Sequence, residues 1–287
     1  MYNLTDINTI KKIMSKNGFS FSKALGQNFI IDSDICPMIV EKSGITEDSG
    51  VIEIGPGIGV LTQELAKKAK KVTALELDTR LIPVLEDTLS DFDNVEVINA
   101  DVMKVDLEKI IKDCFQDCSD IHVCANLPYY ITSPIIMMLL ESRLPIKSIT
   151  VMVQKEAGER LCAAVGSRDA GAVSVAVNFY SQAQELFFVP RESFMPVPNV
   201  DSEVIKLNVR TEPEFVPTDE KFFFRVVKAA FSQRRKTAAN GLASGLGMSK
   251  DKIFEALANV SLDKNVRAEK LTMEEMYMLS EELYKIR

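Results

Sequence analysis

Val51-Ile-Glu53-Ile-Gly55-Pro-Gly57-Ile-Gly59 is the stretch that decides the fold of this chain. A short run rich in β-branched residues passes through three closely spaced glycines into a helical pattern over residues 60–69. That is the first half of a βαβ unit, with glycines that permit a tight turn and let a ligand approach the backbone. It is not GxGxxG, because position 60 is Val, and no Gly-Lys-Ser/Thr follows, so it is not a Walker loop. Taken alone, the turn reads equally well as a plain strand-to-helix connection, and the residues further along the chain must decide.

Outward from this turn, apolar runs rich in β-branched residues recur at 71–76, 95–99, 121–125 and 148–153. Helical patterns lie among them at 80–90 and 133–142. Buried strands alternating with helices predict an α/β fold with a parallel sheet covered on both faces. Strand-like stretches at 173–179, 185–189 and 203–209 have no helix between them and predict an antiparallel edge. Residues 211–219 (TEPEFVPTD) read as a linker. Beyond it, 219–231, 235–243, 250–258 and 272–285 read as helices. The expected division is therefore an α/β domain over 1–212, with a basic N-terminal extension, and a small all-helical domain over 213–287.

The chain has 287 residues, 46% of them hydrophobic, enough for one large core and a smaller one. The longest apolar run, residues 135–140, is far below the roughly 18 residues of a membrane span. The opening MYNLTDINTIKK lacks the apolar core of a signal peptide. These features predict a cytoplasmic protein with no membrane partner. Five cysteines without a CxxC pair, and a single histidine, His122, predict reduced thiols and no metal site. His122 falls inside a predicted strand and reads as a sheet-packed residue rather than a catalytic base.

The net charge of −7 argues against a polyanionic partner until its distribution is considered. Residues 221–287 hold 13 Lys and Arg against 8 Asp and Glu, a sum of +5, and residues 1–28 hold four Lys and one Asp, a sum of +3. The middle of the chain then carries −15, since −7 − 5 − 3 = −15. An acidic body with basic ends can lay one face along a nucleic acid.

The second strand ends at Glu76, placed to accept hydrogen bonds from the ribose hydroxyls of an adenosine ligand. The third is followed by Asp101, which could accept from the adenine amine of that ligand or simply cap a helix. Nucleoside recognition without a phosphate cradle fits S-adenosyl-L-methionine better than NAD. The fourth strand runs into Asn126-Leu127-Pro128-Tyr129. Ligands of open α/β sheets bind at the carboxyl ends of the strands, so this tetrapeptide belongs beside the cofactor. Its chemistry suits an exocyclic adenine amine, whose lone pair is delocalised into the ring. The Asn126 side-chain oxygen and a backbone carbonyl at Leu127 or Pro128 could hold the two amine hydrogens. That arrangement favours a pyramidal, nucleophilic nitrogen. Tyr129 offers a ring for stacking.

With these motifs in order along nearly the whole chain, the sequence resembles the rRNA adenine N6-dimethyltransferase family, in particular its bacterial small-subunit branch. Lys23-Ala-Leu-Gly-Gln-Asn28-Phe-Ile30 is similar to that family's N-terminal signature, with Ile30 where Leu is usual. Asn126-Leu-Pro-Tyr129 matches its catalytic motif. The block from Phe194 to Ser202 and Phe231-Ser-Gln-Arg234-Arg235-Lys236 match two more. The resemblance implies a Rossmann-like methyltransferase fold with a C-terminal helical RNA-binding domain. It implies cofactor contacts from Asn28, Ile30, Gly55, Gly57, Glu76, Asp101 and Asn126. It places Phe194 on the target adenine opposite Tyr129, and Lys23, Arg234, Arg235 and Lys236 on RNA phosphates. The implied partner is 16S rRNA within the small ribosomal subunit or its precursor. A monomer would dimethylate two adjacent adenines there and contribute to subunit assembly. Three alternatives stand beside this. One is the related antibiotic-resistance enzyme of the large subunit, whose motif usually reads Asn-Ile-Pro-Tyr. The others are a non-catalytic assembly factor and an NAD-dependent oxidoreductase.

Overall fold

The structure is a computed structural model that describes residues 2–18, 27–233 and 235–287. In chain order its helices are α1 (Ile7–Lys16), α2 (Ile35–Ser43), α3 (Val60–Lys68), α4 (Ile82–Thr88), α5 (Leu107–Cys114), α6 (Thr132–Glu141), α7 (Lys155–Cys162), α8 (Ala172–Tyr180), α9 (Glu220–Ala230), α10 (Ala238–Leu246), α11 (Lys250–Asn259) and α12 (Met273–Lys285). The strands are β1 (Phe29–Ile30), β2 (Gly50–Ile54), β3 (Lys71–Glu76), β4 (Val95–Asn99), β5 (Ile121–Asn126), β6 (Ser148–Gln154), β7 (Ser181–Val189), β8 (Phe194–Met195) and β9 (Ser202–Val209).

Strands β2 to β7 and β9 form one sheet in the order β4-β3-β2-β5-β6-β9-β7. The pairs from β4 to β6 are parallel, and β9 runs antiparallel to β6. This is a Rossmann-like α/β fold whose strand order reverses beside β2, the place where such sheets open a crevice at their carboxyl ends. Central strands β2 and β5 are apolar on both faces because helices cover both: Val51, Ile52, Val123 and Cys124 are all buried. One core cluster joins Ile39 of α2 and Leu65 of α3 to Val51, Val72 and Val204. A second joins Ile10 and Ile13 of α1 to Phe29, Ile58 and Leu85.

The chain divides into two compact units, one of residues 1–158 with 184–209 and one of 159–183 with 210–287. The second holds α9 to α12 and a buried core that includes Phe223, Val227, Leu242, Leu257 and Leu279. Gly241 lets α10 lie against α9, since a Cβ there would meet the backbone carbonyls of Ala229 and Ala230.

The stretch at 173–179, read from sequence as a strand, is instead helix α8. Its Val-rich composition favours β structure, but burial decides otherwise. Val175, Val177, Phe179 and Tyr180 are buried, Phe179 packs on Phe223 with ring centroids 5.4 Å apart, and Tyr180 stacks on Phe224 at 5.4 Å. Gly171 N donates to Ser174 Oγ at 3.0 Å, and that hydroxyl donates to Arg160 O, which fixes the start of the helix. A continuous apolar run cannot be assigned to strand or helix by periodicity alone.

Candidate active site

The carboxyl ends of β2, β3 and β5 open onto one cleft. It brings together Asn28, Ile30, Gly55, Gly57, Glu76, Asp101, the whole of Asn126–Tyr129, and Phe194. Lys23 and Arg234 lie outside the described residues, while Arg235 and Lys236 are exposed ahead of α10.

The floor is the glycine turn. Gly55, Gly57 and Gly59 all have positive φ, of 70°, 62° and 93°, a region that side chains disfavour. At Gly57 the close neighbour is Phe29, whose ring would lie 3.3 Å from an added Cβ. The turn is tied to the next strand, because Gly57 N donates to Glu76 Oε2 at 3.3 Å. Glu76 Oε1 accepts from Asp78 N at 2.7 Å. Burial raises the Glu76 pKa, and these two N–H groups hold it back. Asp101 accepts from Met103 N at 3.0 Å and pairs with Lys104 at 3.1 Å, so it caps its own turn while lining the cleft. The backbone donors and strand-end carboxylates around an apolar slot fit a nucleoside.

One wall comes from a pairing between segments far apart in sequence. β1 lies antiparallel to β8, with Phe29 opposite Met195 and Ile30 opposite Phe194. Ser193 Oγ donates to Asp32 at 3.1 Å, and Ile31 N to Ser193 O at 2.9 Å. Gln27 Nε2 reaches Asp78 at 3.0 Å and closes the strap onto the end of β3. Phe194 is 1% exposed and sits in the core with Ile30 and Val204, so its ring is a wall of the cleft rather than a projecting platform.

Another wall is the turn after β5. Asn126 Nδ2 donates to Asn28 O at 3.4 Å, which orients the amide and leaves Oδ1 as its other end. Leu127 N donates to Met152 O at 3.3 Å, and its side chain is buried. Pro128 O is engaged by Ile131 N at 3.1 Å and Thr132 Oγ1 at 3.2 Å. The Tyr129 hydroxyl is 2.8 Å from Ser202 Oγ, and the ring is part-buried. Sequence reasoning passed over Leu77, Val102 and Tyr130, which also line the cleft. Each follows a residue it had singled out, so the signal was position: residues just past a strand end face the same crevice.

His122 stands apart from the cleft. It is buried, with Nδ1 2.7 Å from Ser148 Oγ and Nε2 3.2 Å from Asp120, and burial lowers its pKa despite that carboxylate. It is the sheet-packed residue that its position suggested. All five cysteines are free. No group of three or more metal-ligating side chains occurs among the described residues, nor any helix long and apolar enough to cross a membrane.

Glu53 supplies a stability test. It is 1% exposed, one of its carboxyl oxygens has no hydrogen-bond partner, and burial pushes its pKa up to about 8. Below the ordinary carboxyl range the folded and unfolded chains are both protonated. Between there and about 8 the unfolded chain releases its proton first, so stability falls as pH rises. Glu53→Gln should flatten this slope and stabilise the fold by roughly 3 kcal/mol at pH 7, at about 1.4 kcal/mol per pKa unit. Denaturant melts of both proteins at about pH 5 and pH 8, on either side of most of this titration, check it. Parallel pH dependence in the two would mean that Glu53 is ionised in the fold.

The fold and cleft define a Rossmann-like, S-adenosylmethionine-dependent methyltransferase. A model of the family described as ribosomal RNA adenine dimethylase matches residues 18–285, and the chain belongs to that family. It is 52% identical over 279 residues to the ribosomal RNA small subunit methyltransferase A of Bacillus licheniformis, covering 96% of each chain. With the protein of the same name from Geobacillus thermodenitrificans it shares 51% over 276 residues, covering 95% of this chain and 94% of the other. Among solved structures it is similar to a dimethyladenosine transferase from Plasmodium falciparum, with a TM-score of 0.74 and 25% identity over 90% of this chain and 98% of that one. It is also similar to the 23S rRNA methyltransferase ErmE, with a TM-score of 0.68 and 26% identity over 89% and 99%.

Proposed function

We propose that this enzyme dimethylates the N6 amines of two adjacent adenosines in the 3′-terminal hairpin loop of 16S rRNA. It acts in the cytoplasm as a monomer on the small ribosomal subunit or its precursor, and contributes to subunit biogenesis. The observation that carries the reading is the Asn126 amide, anchored through its nitrogen to Asn28 O with its oxygen left for a substrate amine. With Pro128 O already engaged twice, the carbonyl of Leu127 is the second acceptor. Two acceptors holding the two hydrogens draw the nitrogen lone pair out of conjugation with the ring. Tyr129, steadied by Ser202, stacks on the base, and Phe194 bounds the pocket as part of its wall.

When bound, S-adenosylmethionine supplies an electrophilic methyl group on its sulfonium. Asn28, Ile30, Gly55, Gly57, Glu76 and Asp101 would hold it, with Glu76 on the ribose and Asp101 on the adenine amine. A loop substrate suits this cleft, because its bases can be splayed out without melting a helix.

The likeness to ErmE favours a second reading, methylation of large-subunit rRNA. Leu127 and the names of the relatives at about 50% identity weigh toward the small subunit. Isolated small and large subunits offered as methyl acceptors separate the two. Acceptance by the small subunit is expected, and acceptance by the large subunit alone would overturn the proposal.

The helical domain over 213–287 takes the RNA-binding role, with Lys23, Arg234, Arg235 and Lys236 on phosphates. Replacing Arg234, Arg235 and Lys236 together with Ala should weaken subunit binding at low salt and leave cofactor affinity unchanged. The loss should shrink as salt rises, since these cations act through counterion release. Binding isotherms at two salt concentrations test this. Equal low-salt affinity for the wild type and the triple variant would remove the basic turn from docking.

A further inference from the structure

Two consecutive tyrosines leave the catalytic turn into different surroundings. Pro128 O accepts from Ile131 N at 3.1 Å, so Tyr129 and Tyr130 are the central pair of a hydrogen-bonded β-turn. Thr132 Oγ1 donates to the same carbonyl at 3.2 Å and fixes that turn to the start of α6. Tyr129 is part-buried and bound to Ser202. Tyr130 is 62% exposed and lines the same cleft. Among the described residues only one other aromatic side chain, Phe188, is more than half exposed, and Lys155 lies 5.6 Å from the centre of its ring. Tyr130 is therefore an uncovered aromatic ring, carried on a hydrogen-bonded turn, at a cleft that, on the proposed function, admits a base.

Drawing one nucleotide out of a single-stranded stack deprives its neighbour of a stacking partner on that side. The neighbour stays covalently attached, so it must come to rest near the mouth of the cleft. We propose that Tyr130 is the stacking platform for that neighbouring base, the second adenine of the pair while the first is being methylated. This rests on the reading of the cleft as an adenine site. It gives the two tyrosines separate tasks: Tyr129 holds the reacting base, and Tyr130 holds the waiting one. Any base has a face to offer such a ring, so the contact favours a stacked neighbour without reading its hydrogen-bonding edge.

The test is a cycle across protein and RNA, using a synthetic hairpin with two adjacent loop adenines and a second hairpin in which one of them is abasic. Affinities are read by fluorescence anisotropy with wild type, Tyr130→Ala and Tyr130→Phe. Tyr130→Ala should weaken the two-adenine hairpin by about tenfold, the scale of one base–aromatic stack, while Tyr130→Phe stays within about twofold of wild type. The abasic hairpin should lose a similar factor with wild type and show no further loss with Tyr130→Ala. Cofactor affinity by calorimetry should be equal in all three proteins, which controls for folding. Wild-type affinity in Tyr130→Ala, or losses that multiply, would overturn the platform. Tyr129→Ala separates the two levels of the argument. If it leaves hairpin affinity unchanged, no base enters the cleft, and the functional reading falls together with this inference.

Discussion

Asn126→Ala should reduce single-turnover methyl transfer by at least about 100-fold, the usual cost of removing one well-placed group that stabilises a developing charge. The adenine amine is a poor nucleophile because its lone pair is shared with the ring, and its methylation needs little help from a base, since the methylated product loses its proton readily. His122, the only histidine, is buried and bonded to Ser148 and Asp120. Orientation of the amine is what remains, and Asn126 Oδ1 is the side-chain group available for it. Subunit binding should change little if, as proposed, docking rests on phosphate contacts. Asn126→Asp makes the test sharper. It keeps an oxygen toward the amine but replaces the N–H donor to Asn28 O with a second acceptor, so the side chain loses its anchor. Its rate should also fall well below wild type. A near-normal rate in Asn126→Ala would dismiss the two-acceptor account.

Glu76→Ala should weaken S-adenosylmethionine binding by about 1.5–3 kcal/mol, or roughly 10- to 150-fold, the range for hydrogen bonds to a charged group. Two causes combine. On the proposed function the carboxylate at the end of β3 accepts from the ribose, and it also receives Gly57 N and Asp78 N, so its removal loosens the glycine turn. Burial raises its pKa. Affinity in the wild type should therefore decline as pH falls through that raised value, and Glu76→Ala should lack this decline. Calorimetric titration across pH checks both points, and unchanged affinity would remove Glu76 from the ribose role.

The parallel strands were legible in the sequence because each is a short apolar run closed by turn residues, and such strands are buried on both faces. The cleft was legible for a related reason: in this fold, the residues just past strand ends converge. Glu76, Asp101 and Asn126 could be named from position before any coordinates. Contacts between distant segments could not be named. The pairing of β1 with β8 involves two residues on each side, too few to leave a periodic signal, yet it places Ile30 against Phe194. The anchoring of Tyr129 by Ser202 is of the same kind. α8 misled because its β-branched run matches a strand in composition, while the contacts that favour the helix, aromatic packing on α9 and the bond from Ser174 to Arg160 O, are with segments distant in sequence.

Mass mapping of rRNA tests the central claim most directly. Small subunits lacking these modifications are incubated with the purified protein and isotope-labelled S-adenosylmethionine, and the rRNA is digested and sequenced by mass. The account predicts two labelled methyl groups on the N6 of each of two adjacent adenines in the 3′-terminal hairpin loop of the 16S rRNA, and none elsewhere. Label confined to the large-subunit rRNA, or to a base other than adenine, would contradict it.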